Sequence, residues 1–244
     1  MKRIGYSTGA VALDDFDRAL EVLSTSRFEA VELSALRMKE VGPLVEAISR
    51  LPLDQYSYIS FHAPSAYRPE EEAGLVELLA QIPVTWPIVI HPDAICDFSL
   101  WAMLGPRVAV ENMDKRKPIG RNAAELREVF ARLPLARMCF DIGHARQFDS
   151  SMSEAYLMLT EFGERIVQIH VSEVDTANRH DRVSFAAALA FHQVSTMLPI
   201  HAPLILESRV KEAEIWTEAM RALSILSAEE GWPMHQSEPG WRYA

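Results

Sequence analysis

Residues 138–145 read Met138-Cys139-Phe140-Asp141-Ile142-Gly143-His144-Ala145. A short apolar run ends on a carboxylate, and a loop of small residues carrying a histidine follows. An apolar run this short, bounded by polar residues, is the pattern of a buried parallel strand. The pattern recurs along the chain, over residues 3–7, 30–33, 58–62, 88–91, 107–111, 138–141, 166–171 and 204–207. Between these runs apolar residues fall at helical spacing, as in Phe16, Leu20 and Leu23, in Leu44, Ile48 and Leu51, and in Leu126, Phe130 and Leu133. Eight strand-plus-helix units of about 25 to 35 residues imply right-handed crossovers and a parallel sheet, and eight of them close most naturally into a (β/α)8 TIM barrel. A doubly wound open sheet is the second choice.

One domain over residues 1–230 accommodates all eight units, since no low-complexity segment, charge block or Gly/Ser linker interrupts them. The last helix spans roughly 211–227 and leaves a C-terminal tail, 231–244, with Trp232, Pro233, Pro239 and Trp241. Its aromatic content suits packing on the barrel, contact with a partner subunit, or a frayed end.

The 244 residues, 49% hydrophobic, can fill one barrel core. No run of about 18 apolar residues occurs, and no apolar signal region follows Lys2 and Arg3. The expectation is a soluble, cytoplasmic protein without membrane contact, and a homo-oligomer is compatible with it. Cys96 and Cys139 lack the spacing of a zinc ribbon or a disulfide framework, and Cys139 reads as core. A formal net charge of -10 opposes non-specific nucleic-acid binding.

In a parallel barrel the C-terminal strand ends converge on one mouth. The last polar residues of the eight runs are Ser7, Glu32, His62, His91, Glu111, Asp141, His170 and Glu207. Seven are His, Asp or Glu, although the whole chain has only 8 His and 34 acidic residues; chance would place about one or two there. Glu111, Asp141, His170 and Glu207 come from adjacent strands and form an arc suited to Mn2+, Zn2+, Mg2+ or Co2+. Three gathered carboxylates repel one another, and a cation keeps them ionised. His62 and His91 stand beside Glu111, which could bridge to a second metal; alternatively they bind substrate or orient ligands. His144 and His180 complete a further site or hold substrate. Glu32 can ligate, pair with an arginine, or set the polarity of the mouth. His192, in a helix, His201, at the opposite end, and His235, in the tail, receive no catalytic role.

In order, Ser60-Phe61-His62-Ala63-Pro64, Val89-Ile90-His91-Pro92, Val110-Glu111-Asn112, Phe140-Asp141-Ile142-Gly143-His144-Ala145, Gln168-Ile169-His170-Val171 and Leu206-Glu207-Ser208 resemble the xylose isomerase-like barrel superfamily. That superfamily includes sugar-phosphate isomerases, epimerases and the endonuclease IV repair enzymes, and the resemblance covers almost the whole chain. It implies that Glu111, Asp141, His170 and Glu207 are the metal ligands of the isomerases and epimerases. It matches His62, His91, His144 and His180 to the additional ligands of the trinuclear repair enzymes. The chain departs from the repair pattern at Asn178, where an Asp-x-His pair is expected and Asn178-Arg179-His180 stands, and at Ser184, where a glycine is common.

Three functions follow. In the preferred one, an isomerase or epimerase of a small sugar or sugar phosphate, the metal acidifies a C–H bond beside a carbonyl and Glu111 and Glu207 exchange the proton from opposite sides of the substrate. In the second, two or three zinc ions hydrolyse a phosphodiester, as in endonuclease IV; the net charge, Asn178 and the compact loops oppose it. In the third, the barrel binds metal or a sugar acid without turnover. Lys115, Arg116, Lys117, Arg121, Arg146, Arg179, Arg182 and Arg209 on the catalytic face suit an anionic substrate. Arg146 and Arg209 join His62, His91 and His144 as substrate-binding candidates.

Overall fold

A computed structural model describes residues 2–177 and 179–227. Asn178, His235 and the tail lie outside the described residues. Eight parallel strands, β1 (Ile4–Ser7), β2 (Ala30–Ser34), β3 (Tyr58–His62), β4 (Ile88–Ile90), β5 (Val108–Glu111), β6 (Arg137–Asp141), β7 (Ile166–Val171) and β10 (Leu204–Leu206), close into a barrel. The closing pair is β1 with β10, in register Ile4 to Leu204. Closure rules out the open-sheet alternative. Between β7 and β10 a small antiparallel pair, β8 (Glu173–Val174) with β9 (His180–Asp181), stands at the mouth.

The strands agree with the sequence pattern to within a residue at each end. His91 falls outside β4 because Pro92 follows it, has no N–H for the ladder, and opens a 3-10 turn, Pro92–Ala94. Arg107 likewise ends the turn Gly105–Arg107. Glu207 lies one residue past β10, yet its N–H still donates to the Val171 carbonyl at 3.1 Å. The last helix begins later than 211: a 3-10 turn, Glu212–Glu214, precedes Ile215–Leu226.

Outward-facing strand residues such as Val108, Val110, Phe140, Ile169 and Leu206 are fully buried against the helical layer. Each such side chain stabilises the fold by about 1.5–3 kcal/mol. The helix Ala123–Arg132 shows how the layer is built. Asn122 caps it by accepting from the Glu125 N–H at 2.9 Å, and Leu126, Val129 and Phe130 make its buried stripe. Because strand side chains alternate, the residues pointing into the barrel are a different set, Ala109 and Glu111 on β5, Cys139 and Asp141 on β6, Gln168 and His170 on β7. Near the mouth that interior is polar. Among the described residues, no helix is long and apolar enough to cross a membrane.

Candidate metal centre

Glu111 ends β5, Asp141 ends β6, His170 is the penultimate residue of β7 and Glu207 follows β10. One ligand atom from each of these four lies within 4.8 Å of the others. His170 Nδ1 is 3.2 Å from Glu111 Oε1 and 3.6 Å from Glu207 Oε2. The other carboxylate oxygen of Glu111 faces two more rings, His62 Nε2 at 3.1 Å and His91 Nε2 at 3.2 Å. A third group joins Asp141 to His144 and His180. All the imidazoles and carboxylates expected at the mouth are therefore brought together, with Glu111 between the groups.

Backbone contacts fix what each ring presents. A carbonyl only accepts, so His144 Nδ1, 3.0 Å from the Asn112 carbonyl, carries the proton. Its Nε2 is then a lone pair, buried and without a partner among the described residues. His62 Nδ1 donates to the Ala63 carbonyl at 2.8 Å in the same way, which turns Nε2 toward Glu111. Asp141 Oδ2 and Glu207 Oε2 are also buried and, among the described residues, meet only imidazole nitrogens in poor hydrogen-bond geometry, His144 Nδ1 at 3.6 Å and His180 Nδ1 at 3.2 Å, respectively. Buried acceptors left unpaired are costly, and three of them on residues of one cluster suit a hard or borderline divalent cation. The donor set fits the metal inferred from the sequence.

Without a cation, protons compensate the charge. Burial works against a charged His62, but the Glu111 hydrogen bond and the Glu32 and Glu111 charges prevail and lift its pKa to about 9. For His180 burial is likewise outweighed, chiefly by Glu207, and the pKa rises to about 9. Burial pushes Asp141 up to about 6, helped by Glu111 and Glu207 and opposed by His144. Burial also favours neutral Glu111, yet His170 and His91 hold it well below the usual carboxylate range.

The segment after Asp141, expected as a loop, is the start of a helix, Ile142–Phe148. Asp141 is its N-cap and accepts from the His144 N–H at 2.6 Å. One carboxylate oxygen is thus spent on the helix and the other is left for the centre. Among the described residues Glu32 pairs with no arginine. It is fully buried and receives Gln168 Nε2 at 2.7 Å and His170 Nε2 at 2.9 Å. Asn112, which sequence reasoning did not single out, brackets Asp141: its Nδ2 donates to the Asp141 carbonyl and its Oδ1 accepts from the Asp141 N–H, both at 2.8 Å. Its place directly after Glu111 was the available signal.

Above the cluster is a cavity of about 210 Å³ whose lining includes Glu111, Glu207, His62, His91, His144 and His180, the hydroxyls of Ser34 and Ser65, and the basic residues Lys117 and Arg209. Asp141 and His170 lie beneath it. The cavity is below the range of about 300–1,000 Å³ that takes drug-sized ligands, so it suits a small molecule. Lys117 is paired with Asp93 at 2.8 Å, whereas Arg209 is exposed and has no ion pair among the described residues. Arg146 does not line the cavity; it pairs with Glu173 at 2.9 Å. Arg121, Arg179 and Arg182 are also engaged, with Glu125, Asp175 and Glu214. A larger hollow of about 380 Å³ at the opposite end, around Trp86, Arg107 and His201, contains none of the ligating groups.

The sequence matches no protein-family profile and no curated protein. Solved structures do share the fold. An L-ribulose 3-epimerase superposes with a TM-score of 0.56 at 13% identity, over 90% of this chain and 86% of its own. A 3-keto-D-glucoside 4-epimerase from E. coli gives 0.60 at 12%, over 91% and 99%. Endonuclease IV from Thermus thermophilus gives 0.52 at 18%, over 90% and 97%. The chain thus shares the (β/α)8 barrel fold of these proteins.

Proposed function

We propose that this protein is a divalent-metal-dependent isomerase or epimerase acting on a small sugar or sugar phosphate. One observation carries the reading. Of the four central residues, only the carboxylates Glu111 and Glu207 line the cavity, while Asp141 and His170 support them from below. Two carboxylates facing one small substrate are what a proton transfer between neighbouring carbons needs. Glu111, Asp141, His170 and Glu207 would hold the cation. When bound, Mn2+, Zn2+, Mg2+ or Co2+ would polarise a carbonyl and its neighbouring hydroxyl and so acidify the C–H bond between them. Glu207, the more exposed of the two carboxylates, would take the proton, and Glu111 would return one from the other side of the substrate. The free imidazole nitrogen of His144 and the guanidinium of Arg209 meet hydroxyl groups and an anionic end, respectively.

The test is incubation of the metal-loaded protein with sugars and sugar phosphates in heavy water. Deuterium appearing at the carbon beside the carbonyl, lost in a Glu111→Gln, Glu207→Gln double variant, supports the proposal. Absence of exchange and turnover under every metal loading sinks it. A second reading, a multi-zinc phosphodiester hydrolase, is favoured by Glu111 Oε2 being shared between His62 and His91. Two or three zinc ions per chain together with phosphodiester cleavage would establish it instead. Metal uptake with neither reaction would favour a binding barrel.

A further inference from the structure

Beneath the metal centre a chain of polar side chains crosses the barrel interior. Tyr58, on β3, donates its hydroxyl to Gln168 Oε1 at 2.8 Å. Gln168, on β7, donates Nε2 to Glu32 Oε2 at 2.7 Å, and the same oxygen is 2.9 Å from His170 Nε2. Glu32 and Gln168 are fully buried, and β2 is separated from β7 by β1 and β10. The contact therefore spans the interior and does not follow a sheet edge.

The Gln168 amide has one allowed orientation, because flipping it would set a carbonyl oxygen 2.7 Å from a carboxylate oxygen. Its nitrogen is also 2.8 Å from His170 Nε2. As a neutral ring, the form a metal ligand takes, His170 thus has two choices. With the proton on Nδ1, Nε2 would accept from Gln168 and the ring would turn an N–H toward Glu111 and Glu207. With the proton on Nε2, the ring donates to Glu32, and Nδ1 offers a lone pair to the place where those two carboxylates meet. A carboxylate favours the second, since a hydrogen bond to a charged acceptor is roughly twice as strong as a neutral one.

We infer that Glu32 is a positioning residue: it commits His170 to carry its proton on Nε2 and so delivers Nδ1 to the metal, while Tyr58 and Gln168 hold the accepting oxygen in place. The inference rests on His170 being a ligand, as in the function proposed above. A partner of this kind fixes ring orientation and raises ligand basicity, and losing it commonly costs about 10–100-fold in metal affinity.

Zinc is the probe, being diamagnetic. Zinc affinity is measured by chelator competition for the unsubstituted chain, Glu32→Gln and Glu32→Leu, with 15N NMR of His170 in the zinc-loaded forms. The expected order is a loss of about 10–100-fold for Glu32→Leu, a smaller loss for Glu32→Gln, which keeps an acceptor oxygen, and a modest one for Tyr58→Phe. The His170 Nε2 proton should resonate far downfield in the unsubstituted protein and move upfield in Glu32→Gln. That shift is read even if Glu32→Leu fails to fold, and a purely structural role would not produce it. An unmoved resonance, zinc on Nε2, or a folded Glu32→Leu that binds zinc as tightly as the unsubstituted chain would overturn the inference while leaving the metal site intact. No zinc uptake by the unsubstituted chain would overturn the metal-enzyme reading and this inference with it.

Discussion

Glu111 Oε2 stands 3.1 Å from His62 Nε2, while the far nitrogen of that ring donates to the Ala63 carbonyl. The carboxylate and a neutral ring would meet lone pair to lone pair, so a proton or a cation must lie between them. With the His62 pKa lifted to about 9 against the opposing effect of burial, a proton is held there throughout the neutral range. A cation entering this position must expel it. Below about 9 the protonated ring therefore competes, and apparent affinity falls roughly tenfold per pH unit for each proton displaced; above that pH this contribution disappears. We expect zinc uptake at neutral pH to release protons, countable by calorimetry in buffers of different ionisation enthalpy. His62→Asn should release one fewer if His62 shares the cation. An unchanged count would confine the cation to Glu111, Asp141, His170 and Glu207.

Glu207 differs from Glu111 in being the more open of the two cavity-lining carboxylates, its side chain 14% exposed against 1%. That makes it the stronger candidate for taking the substrate proton. Glu207→Gln should lower kcat by roughly 10²–10⁴-fold, the usual contribution of a positioned acid or base. Solvent deuterium exchange should fall by a similar factor. A rise in KM with kcat preserved would instead assign Glu207 to substrate binding.

Asn112 predicts a stability effect of its own. Its side chain satisfies both the N–H and the carbonyl of Asp141 in a place with no solvent access. Asn112→Leu, similar in size, leaves both groups unpaired, at about 1–3 kcal/mol for each. Asn112→Asp keeps an acceptor for the N–H but turns an oxygen toward the Asp141 carbonyl, so it should also destabilise. Urea unfolding of the metal-free variants measures the loss, and zinc affinity should fall with it because Asp141 is no longer held. Wild-type stability in Asn112→Leu would contradict the bracket.

The barrel was legible because each strand is a short apolar run ending on a polar residue, and every such end reaches the same mouth. Glu111, Asp141, His170 and Glu207 could be found from one strand at a time. Glu32 was visible as a strand end but its role was not: its partners lie on β7, across the interior, and a strand's own pattern does not say what it will face. Asn112 and Asp141 meet through the register of β5 on β6, in which Glu111 pairs with Cys139; neither run alone contains that register. Arg146 follows the Asp141 motif closely in sequence, but Glu173 on β8 takes its guanidinium. Nearness along the chain was a poor guide to it. The helix after Asp141 looks like a loop in sequence because its Ile142-Gly143 start gives a weak propensity signal, and only the cap made by Asp141 itself supplies the missing partner.

Gly143 gives the last prediction, in which packing and helix propensity oppose each other. A Cβ at this position would lie 2.3 Å from the Ser172 carbonyl oxygen and 3.2 Å from Asp141 Oδ1. Helix propensity alone would favour Gly143→Ala by about 0.5–1 kcal/mol. Overpacking against a backbone atom costs about 1–3 kcal/mol and should prevail. The helix Ile142–Phe148 would be forced away from β7, carrying His144 with it and disturbing Ser172, whose Oγ is 2.9 Å from His180 Nδ1. Gly74 supplies the control. It lies in the helix Glu72–Ala80, where an added Cβ meets nothing within 4 Å. Gly74→Ala should therefore stabilise by about 0.5–1 kcal/mol and leave zinc affinity unchanged, whereas Gly143→Ala should lower both the urea midpoint and zinc affinity. If both variants gain stability equally, the close approach of the helix to Ser172 does not constrain the centre, and the position of His144 is set by the Asp141 cap and the Asn112 carbonyl.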